Sequence, residues 1–153
     1  MSTQTSLAIT LQNRKATKKL LDFVSIEQAN MIPSGFNNNM IWQCGHILAV
    51  QQMLTYGLAR LPFTIPKDIV NGFSPGTKPK DVYDSDFVAG LQKMLFTSYE
   101  QLVIDIEDGK FEKINPFMTA LRFEIHDIES AILFNQYHEA LHMGHTLSIS
   151  RFL

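Results

Sequence analysis

The sequence predicts an all-α protein, a four-helix bundle of the up-down type with two long connections. Four segments have apolar residues at helical spacing, and they are separated by Pro, Gly and Asn residues. No segment has the alternation of apolar and polar residues that is typical of a strand. With 153 residues, the chain fits a single domain, residues 1–153, with its own hydrophobic core. Four amphipathic helices bury their apolar faces most economically against one another.

The first two long helices are predicted on either side of a Pro-Gly break. Apolar residues at helical spacing extend over residues 5–23, and residues 25–28 have the form of a capping box that opens one short turn. The break at residues 32–35 stops the chain from continuing as a helix. The second long helix is predicted to follow the asparagines at 37–39, any of which can cap it, and to end near Tyr56.

The other two long helices are predicted over residues 86–108 and from Asp127 nearly to the end of the chain. Gly109 stands where a C-cap glycine is expected. The connections over residues 61–81 and 109–126 are longer than most loops between helices. We therefore expect each connection either to have a function, for example as a lid over one end of the bundle, or to be a passive link between helices.

The composition argues against several classes of partner. The net charge is −2, and the densest basic group, Arg14 with Lys15, Lys18 and Lys19, is interpreted as a solvated helix face and not as a nucleic-acid site. No segment approaches the ~20 apolar residues of a membrane span, and the N-terminal residues do not resemble a signal peptide. Cys44 is the single cysteine. The sequence therefore predicts a cytoplasmic protein without nucleic-acid or membrane partners.

Two histidines near the end of the chain have the spacing of metal ligands. His138 and His142 are four residues apart, so on a helix they lie on one face. A helical wheel places them on the stripe predicted to face the core, which contains Phe134, His138, Leu141, His142, His145, Ile149 and Phe152. Burying unpaired imidazoles costs roughly a few kcal/mol each, and one metal ion satisfies both. The alternative is that each ring is an ordinary hydrogen-bonded core histidine.

His46 is the predicted third ligand, contributed by the second helix. It shares an apolar stripe with Trp42, and Gly45 beside it would allow another helix to approach closely. Cys44 points elsewhere on that helix and is not a predicted ligand, and His126 is predicted to be exposed in a loop. We therefore predict one divalent metal ion bound by His46, His138 and His142.

The residues around the second histidine pair suggest further roles. His-Glu-x-x-His is also the signature of zinc hydrolases, in which the glutamate is the general base, so Glu139 is a candidate catalytic residue, with a solvent-facing or structural role as the alternative. His145 follows only three residues after His142, and we interpret it as supporting the ligands or lining the pocket. Trp42 and Tyr137 are also predicted to line the pocket.

Taken together, the pattern resembles the DinB-like superfamily of metal-binding four-helix bundles, related to the bacillithiol- and mycothiol-dependent transferases. The resemblance is carried by Trp42-x-x-x-His46 after the Pro-x-Gly-x-Asn turn at residues 33–37, and by His138-x-x-x-His142-Met143-Gly144. It implies that the three histidines bind zinc or nickel, and that the protein is bacterial, cytoplasmic and a homodimer. Family members often have Gln where this chain has His145.

Two hypotheses for function follow. Three imidazoles and one open coordination position are typical of a catalytic metal site, which predicts a metal-dependent transferase or hydrolase acting on a small-molecule substrate, with a low-molecular-weight thiol among the candidates. The alternative is a non-catalytic metal-binding stress or interaction module, in which a side chain such as His145 would block the open position.

Overall fold

A computed structural model describes residues 2–153, and within them the chain forms a bundle of helices. The long helices are α1 (Thr3–Asp22), α3 (Met40–Gln52), α5 (Ser85–Glu107) and α6 (Ile128–Ser150), and the short ones are α2 (Ile26–Asn30) and α4 (Lys67–Gly72). Helix α6 packs against both α1 and α3, and α5 also contacts both α1 and α3. The prediction of an all-α four-helix bundle is confirmed.

Three helices begin at side-chain caps that were predicted from the sequence. Ser25 and Gln28 form the predicted capping box at α2. The side chain of Asn39 accepts from the backbone N–H of Trp42 at 2.8 Å, so the last of the three asparagines caps α3. Asp127 caps α6 in the same way. Each cap satisfies a backbone N–H that has no partner inside its helix.

The long connections contain structure that the sequence did not reveal. Helix α4 lies within residues 61–81, and residues 109–126 contain a two-stranded antiparallel hairpin of β1 (Phe117–Met118) and β2 (Glu124–Ile125). Strands of two residues are too short to show alternation. Helix α3 continues into a π-helical turn, Met53–Gly57, which accounts for the predicted helix end near Tyr56. None of the helices in residues 2–153 has the length and apolar character needed to cross a membrane.

A buried ion pair lies at the centre of the bundle, and it corrects the prediction that Arg14 is on a solvated face. Arg14 and Glu139 are both fully buried, and the guanidinium donates to both carboxylate oxygens, the shortest contact being 2.6 Å. It also donates to the carbonyl of Leu95 at 2.6 Å and to the hydroxyl of Ser98 at 3.0 Å. Arg14 therefore ties α1 to α5 and α6.

The core-facing stripe predicted for α6 was right only in part. The buried side chains of this helix include Ile132, Asn135, Glu139, Thr146 and Ile149. Leu141 is 46% exposed, and His145 is also exposed. Three of those buried side chains are polar: Glu139 accepts from Arg14 and from the amide of Asn135, and the hydroxyl of Thr146 donates to the carbonyl of His142. Ile149 of the predicted stripe is therefore in the core, whereas Leu141 and His145 lie on a neighbouring exposed face.

Gly45 allows close packing beside the predicted metal site. A Cβ built on Gly45 would lie closer than 3.0 Å to ring carbons of Phe73, the residue that follows α4. Phe73 is itself buried, with 2% exposure. The predicted role of Gly45 in close approach therefore concerns the segment after α4, and not another long helix.

Gly45→Ala is expected to lower the free energy of unfolding by about 1–3 kcal/mol, because the buried Phe73 ring has to move. Gly90→Ala in α5 is the matched control: a Cβ there meets no heavy atom within 4 Å, and replacing a helical glycine stabilises by up to about 1 kcal/mol. Urea unfolding monitored by circular dichroism measures both. Equal stability of the two variants would contradict the packing role of Gly45.

Candidate metal centre

Helices α3 and α6 bring three histidines to one point. One ring nitrogen from each of His46, His138 and His142 lies within 4.8 Å of the others, and this group could hold a metal ion. The ring centroids are 4.3–5.2 Å apart. His46 is buried, and the other two rings are half-buried. The convergence predicted from the four-residue spacing on α6 and from the apolar stripe on α3 is present.

Hydrogen bonds to acceptors orient two of the rings. The Nδ1–H of His46 donates to the carbonyl of Phe73 at 2.7 Å, and that of His142 donates to the amide oxygen of Gln43 at 2.6 Å. Because both oxygens can only accept, Nδ1 carries the proton and Nε2 keeps its lone pair. Metal-binding histidines are commonly oriented in this way.

Neither Gln43 nor Phe73 was predicted from the sequence to support the site. Gln43 precedes His46 by three residues on α3, so the helical spacing offered a signal. Phe73 contributes a backbone carbonyl from the long connection after α3, and no sequence pattern identifies such a contact.

His138 supplies the test of whether these residues fit a metal ion. Its Nδ1 is buried and has no hydrogen-bond partner among residues 2–153. A buried polar nitrogen without a partner is costly, so this ring requires a partner that the chain does not provide. The donor set, three imidazoles, is one that zinc and nickel accept. The residues present therefore fit a divalent ion.

The electrostatics of the cluster keep the three rings neutral. Burial lowers the pKa of His46. Burial, with the neighbouring His46, lowers the pKa of His138 to about 3, and burial with the adjacent rings lowers the pKa of His142 to about 2. Neutral imidazole is the form that binds metal ions, so at neutral pH no proton has to leave before an ion binds.

The residues predicted to support the site or line a pocket lie around the cluster. Trp42 stacks on His46, with ring centroids 4.4 Å apart and planes at 14°, and its indole N–H donates to Thr77 at 3.0 Å. His145 lies 6.0 Å from His142 between ring centroids. It is exposed and outside the group of three. Tyr137 is 50% exposed.

Glu139, the predicted general base, has partners in the core. Both of its oxygens accept from Arg14, and the amide of Asn135 donates to Oε1 at 2.9 Å. Its exposure is 0%. The helical wheel did place Glu139 about 100° from His138, but that direction leads into the bundle. The structure therefore places this carboxylate in the core ion pair, which corresponds to the structural role that the sequence offered as the alternative.

Cys44 and His126 lie apart from the cluster. Cys44 is fully buried, and burial raises the pKa of its thiol to about 12. The thiolate, which is the form that binds metals, is therefore strongly disfavoured. His126 is exposed and lies 3.3 Å from Asp127.

Two openings each have one of the three histidines among their lining residues. The first, the polar pocket, has a volume of about 320 Å³ and is lined by Asn37, Asn38, Trp42, Gln43, His142 and His145, with Gly35 and Phe36. The second, the apolar groove, has a volume of about 430 Å³. It lies between the π-helical turn, the hairpin and α6, and His138 forms part of its wall. Small molecules therefore have two routes to the histidines.

Comparison with known families agrees with this geometry. The sequence matches the family model of the DinB superfamily over residues 9–146, a range that includes His46, His138 and His142. No curated protein matches the chain.

Proposed function

This chain belongs to the DinB superfamily, and we propose that its His46, His138 and His142 bind one divalent ion, zinc or nickel, as part of an enzyme active site. One observation carries the proposal: a ring nitrogen from each of these residues lies within 4.8 Å of the others. Two of the rings are oriented by hydrogen bonds through Nδ1. Three protein ligands leave a coordination position for a reactant.

The proposed reaction class is thiol-dependent transfer or hydrolysis of a small molecule. A zinc or nickel ion held by the three histidines would supply a Lewis acid that lowers the pKa of a thiol or of water. The chain's own residues orient the ligands, through Gln43 and the Phe73 carbonyl. In the polar pocket, Asn37 and Asn38 supply amide groups close to His142. Amides bind polar, hydrated groups such as those of a low-molecular-weight thiol.

The alternative, a non-catalytic metal-binding module, is less well supported. Such a module needs the open position to be filled, and His145 was the residue predicted to fill it. His145 is exposed and does not belong to the group of three. The polar pocket and the apolar groove, which both reach the cluster, favour an enzyme. That the protein is a homodimer and is located in a bacterial cytoplasm stay predictions from the resemblance. Sedimentation velocity measures whether the protein is a dimer.

The experiment that tests the proposal combines metal analysis with turnover. Untagged protein is expected to contain close to one zinc or nickel per chain by elemental analysis. Metal-loaded protein is then screened for thiol conjugation and for ester and amide hydrolysis, beside His142→Ala and the control His126→Ala, whose exposed ring does not belong to the group of three. Turnover by the wild type and by His126→Ala, with none by His142→Ala, supports an enzyme. Equal rates in all three proteins would dismiss the catalytic proposal while leaving metal binding to be judged from the metal content.

A further inference from the structure

The apolar groove is continuous with the histidine cluster. Its walls come from the π-helical turn, the hairpin and α6, and they include Met53, Leu54, Leu121, Phe134, His138 and Leu141. His138 is the one member of the cluster among the groove's lining residues. A molecule in the groove therefore lies against a proposed metal ligand.

The groove has the chemical character of a site for an uncharged molecule. No Asp, Glu, Lys or Arg lines it, and several of its apolar side chains are open to solvent: Met53 is 37%, Leu121 62% and Leu141 46% exposed. Its volume of about 430 Å³ falls within the range of small-molecule sites. Covering these side chains removes apolar surface from water, which is the main source of affinity for an apolar ligand.

We propose that the apolar groove binds the uncharged apolar body of the substrate, and places its reactive end at His138. This inference rests on the proposed function, because it assigns a substrate class to the same metal centre. The two openings then have different tasks: the polar pocket binds the hydrated reactant, and the apolar groove binds the hydrophobic one. The reactants meet at the cluster because His142 lines one opening and His138 lines the other.

A small molecule fits the groove better than a second copy of the chain does. The groove is a cavity of about 430 Å³ with His138 among its lining residues, and a protein surface seated over it would close this route to the cluster. A small molecule instead uses that route. A second copy remains a distinct outcome of the experiment.

The test uses N-phenyl-1-naphthylamine, an uncharged fluorophore that brightens in apolar surroundings. It is titrated into zinc-loaded and metal-free wild type, into Met53→Gln/Leu141→Gln, and into the control Ile104→Gln/Leu147→Gln. The control side chains are 49% and 39% exposed, and neither lines the groove. Both variants keep the net charge, so the field at the histidines is unchanged. The groove variant is expected to bind the probe about tenfold more weakly, and the control within about twofold of wild type.

A second readout locates the probe relative to the cluster. In protein loaded with paramagnetic Co²⁺, the proton NMR relaxation of the bound probe is expected to rise above that in zinc-loaded protein. Equal probe affinity in the groove variant and the control, or no paramagnetic effect, overturns the inference. The inference is also overturned if the wild type is a dimer and the groove variant is a monomer, since a second copy of the chain then occupies the groove. Zinc affinity is measured separately, and metal-free protein still tests the groove if zinc does not bind.

Discussion

Replacing His138 by alanine is expected to lower zinc affinity by more than about 100-fold. Loss of a group that only orients a ligand typically costs 10–100-fold in metal affinity, and this substitution removes a ligand itself. His138 is the best of the three positions for the test, because its Nδ1 has no partner among residues 2–153. The change therefore deletes a proposed ligand without breaking a hydrogen bond of that nitrogen. Competition with a chromophoric chelator measures the affinity.

The control for this experiment is His145→Ala, since His145 lies on the same helix outside the group of three. Its zinc affinity is expected to stay within about threefold of wild type, a smaller change than the loss of an orienting group causes.

The free energy of unfolding gives an independent measurement of zinc binding. Zinc at 100 times its dissociation constant stabilises a folded protein by about 2.7 kcal/mol, and this gain is expected in wild type and His145→Ala but not in His138→Ala. A large loss in His145→Ala would make that ring a ligand and would contradict the three-histidine site.

The grouping of the three histidines was largely predictable because it depends on local spacing. His138 and His142 are four residues apart, and any regular helix brings residues at that spacing to one face. His46 required one further inference, that the stripe shared with Trp42 faces the bundle, and α3 is buried along its whole length. The supporting contacts were harder to predict. The Phe73 carbonyl that accepts from His46 is 27 residues away in sequence, and only the tertiary fold brings the two together.

The buried faces of α1 and α6 were misjudged because they include polar side chains. Periodicity methods assume that the apolar face of a helix is the buried face. On α1 and α6 the buried faces include Arg14 and Glu139, which neutralise each other. Two of the apolar side chains of α6 that the wheel selected, Phe134 and Leu141, line the groove beside the histidines. The error therefore marks the place where apolar residues are kept at the surface, beside the proposed active site.

The buried ion pair leads to the second large effect. Glu139→Gln or Arg14→Met is expected to lower the free energy of unfolding by about 3–5 kcal/mol, because each change leaves one charge buried without its counterion. The double variant Arg14→Met/Glu139→Leu is expected to recover most of that loss, since replacing both charges with apolar side chains is often close to neutral. Urea unfolding in the presence of a chelator, to exclude any contribution from metal, measures all three proteins.

The exposed pair of Lys18 and Asp22 provides the matched comparison. Its atoms are also 2.6 Å apart, but the side chains are 40% and 47% exposed, so Lys18→Met is expected to cost less than about 1 kcal/mol. A similarly small loss in Glu139→Gln would contradict a core role for the carboxylate. The turnover of folded Glu139→Gln separates this role from catalysis. A core ion pair predicts a large loss of stability in that variant with turnover per folded molecule retained. A general base predicts the reverse, because its carboxylate would act on the reactant and contribute little to the packing of α1 against α6.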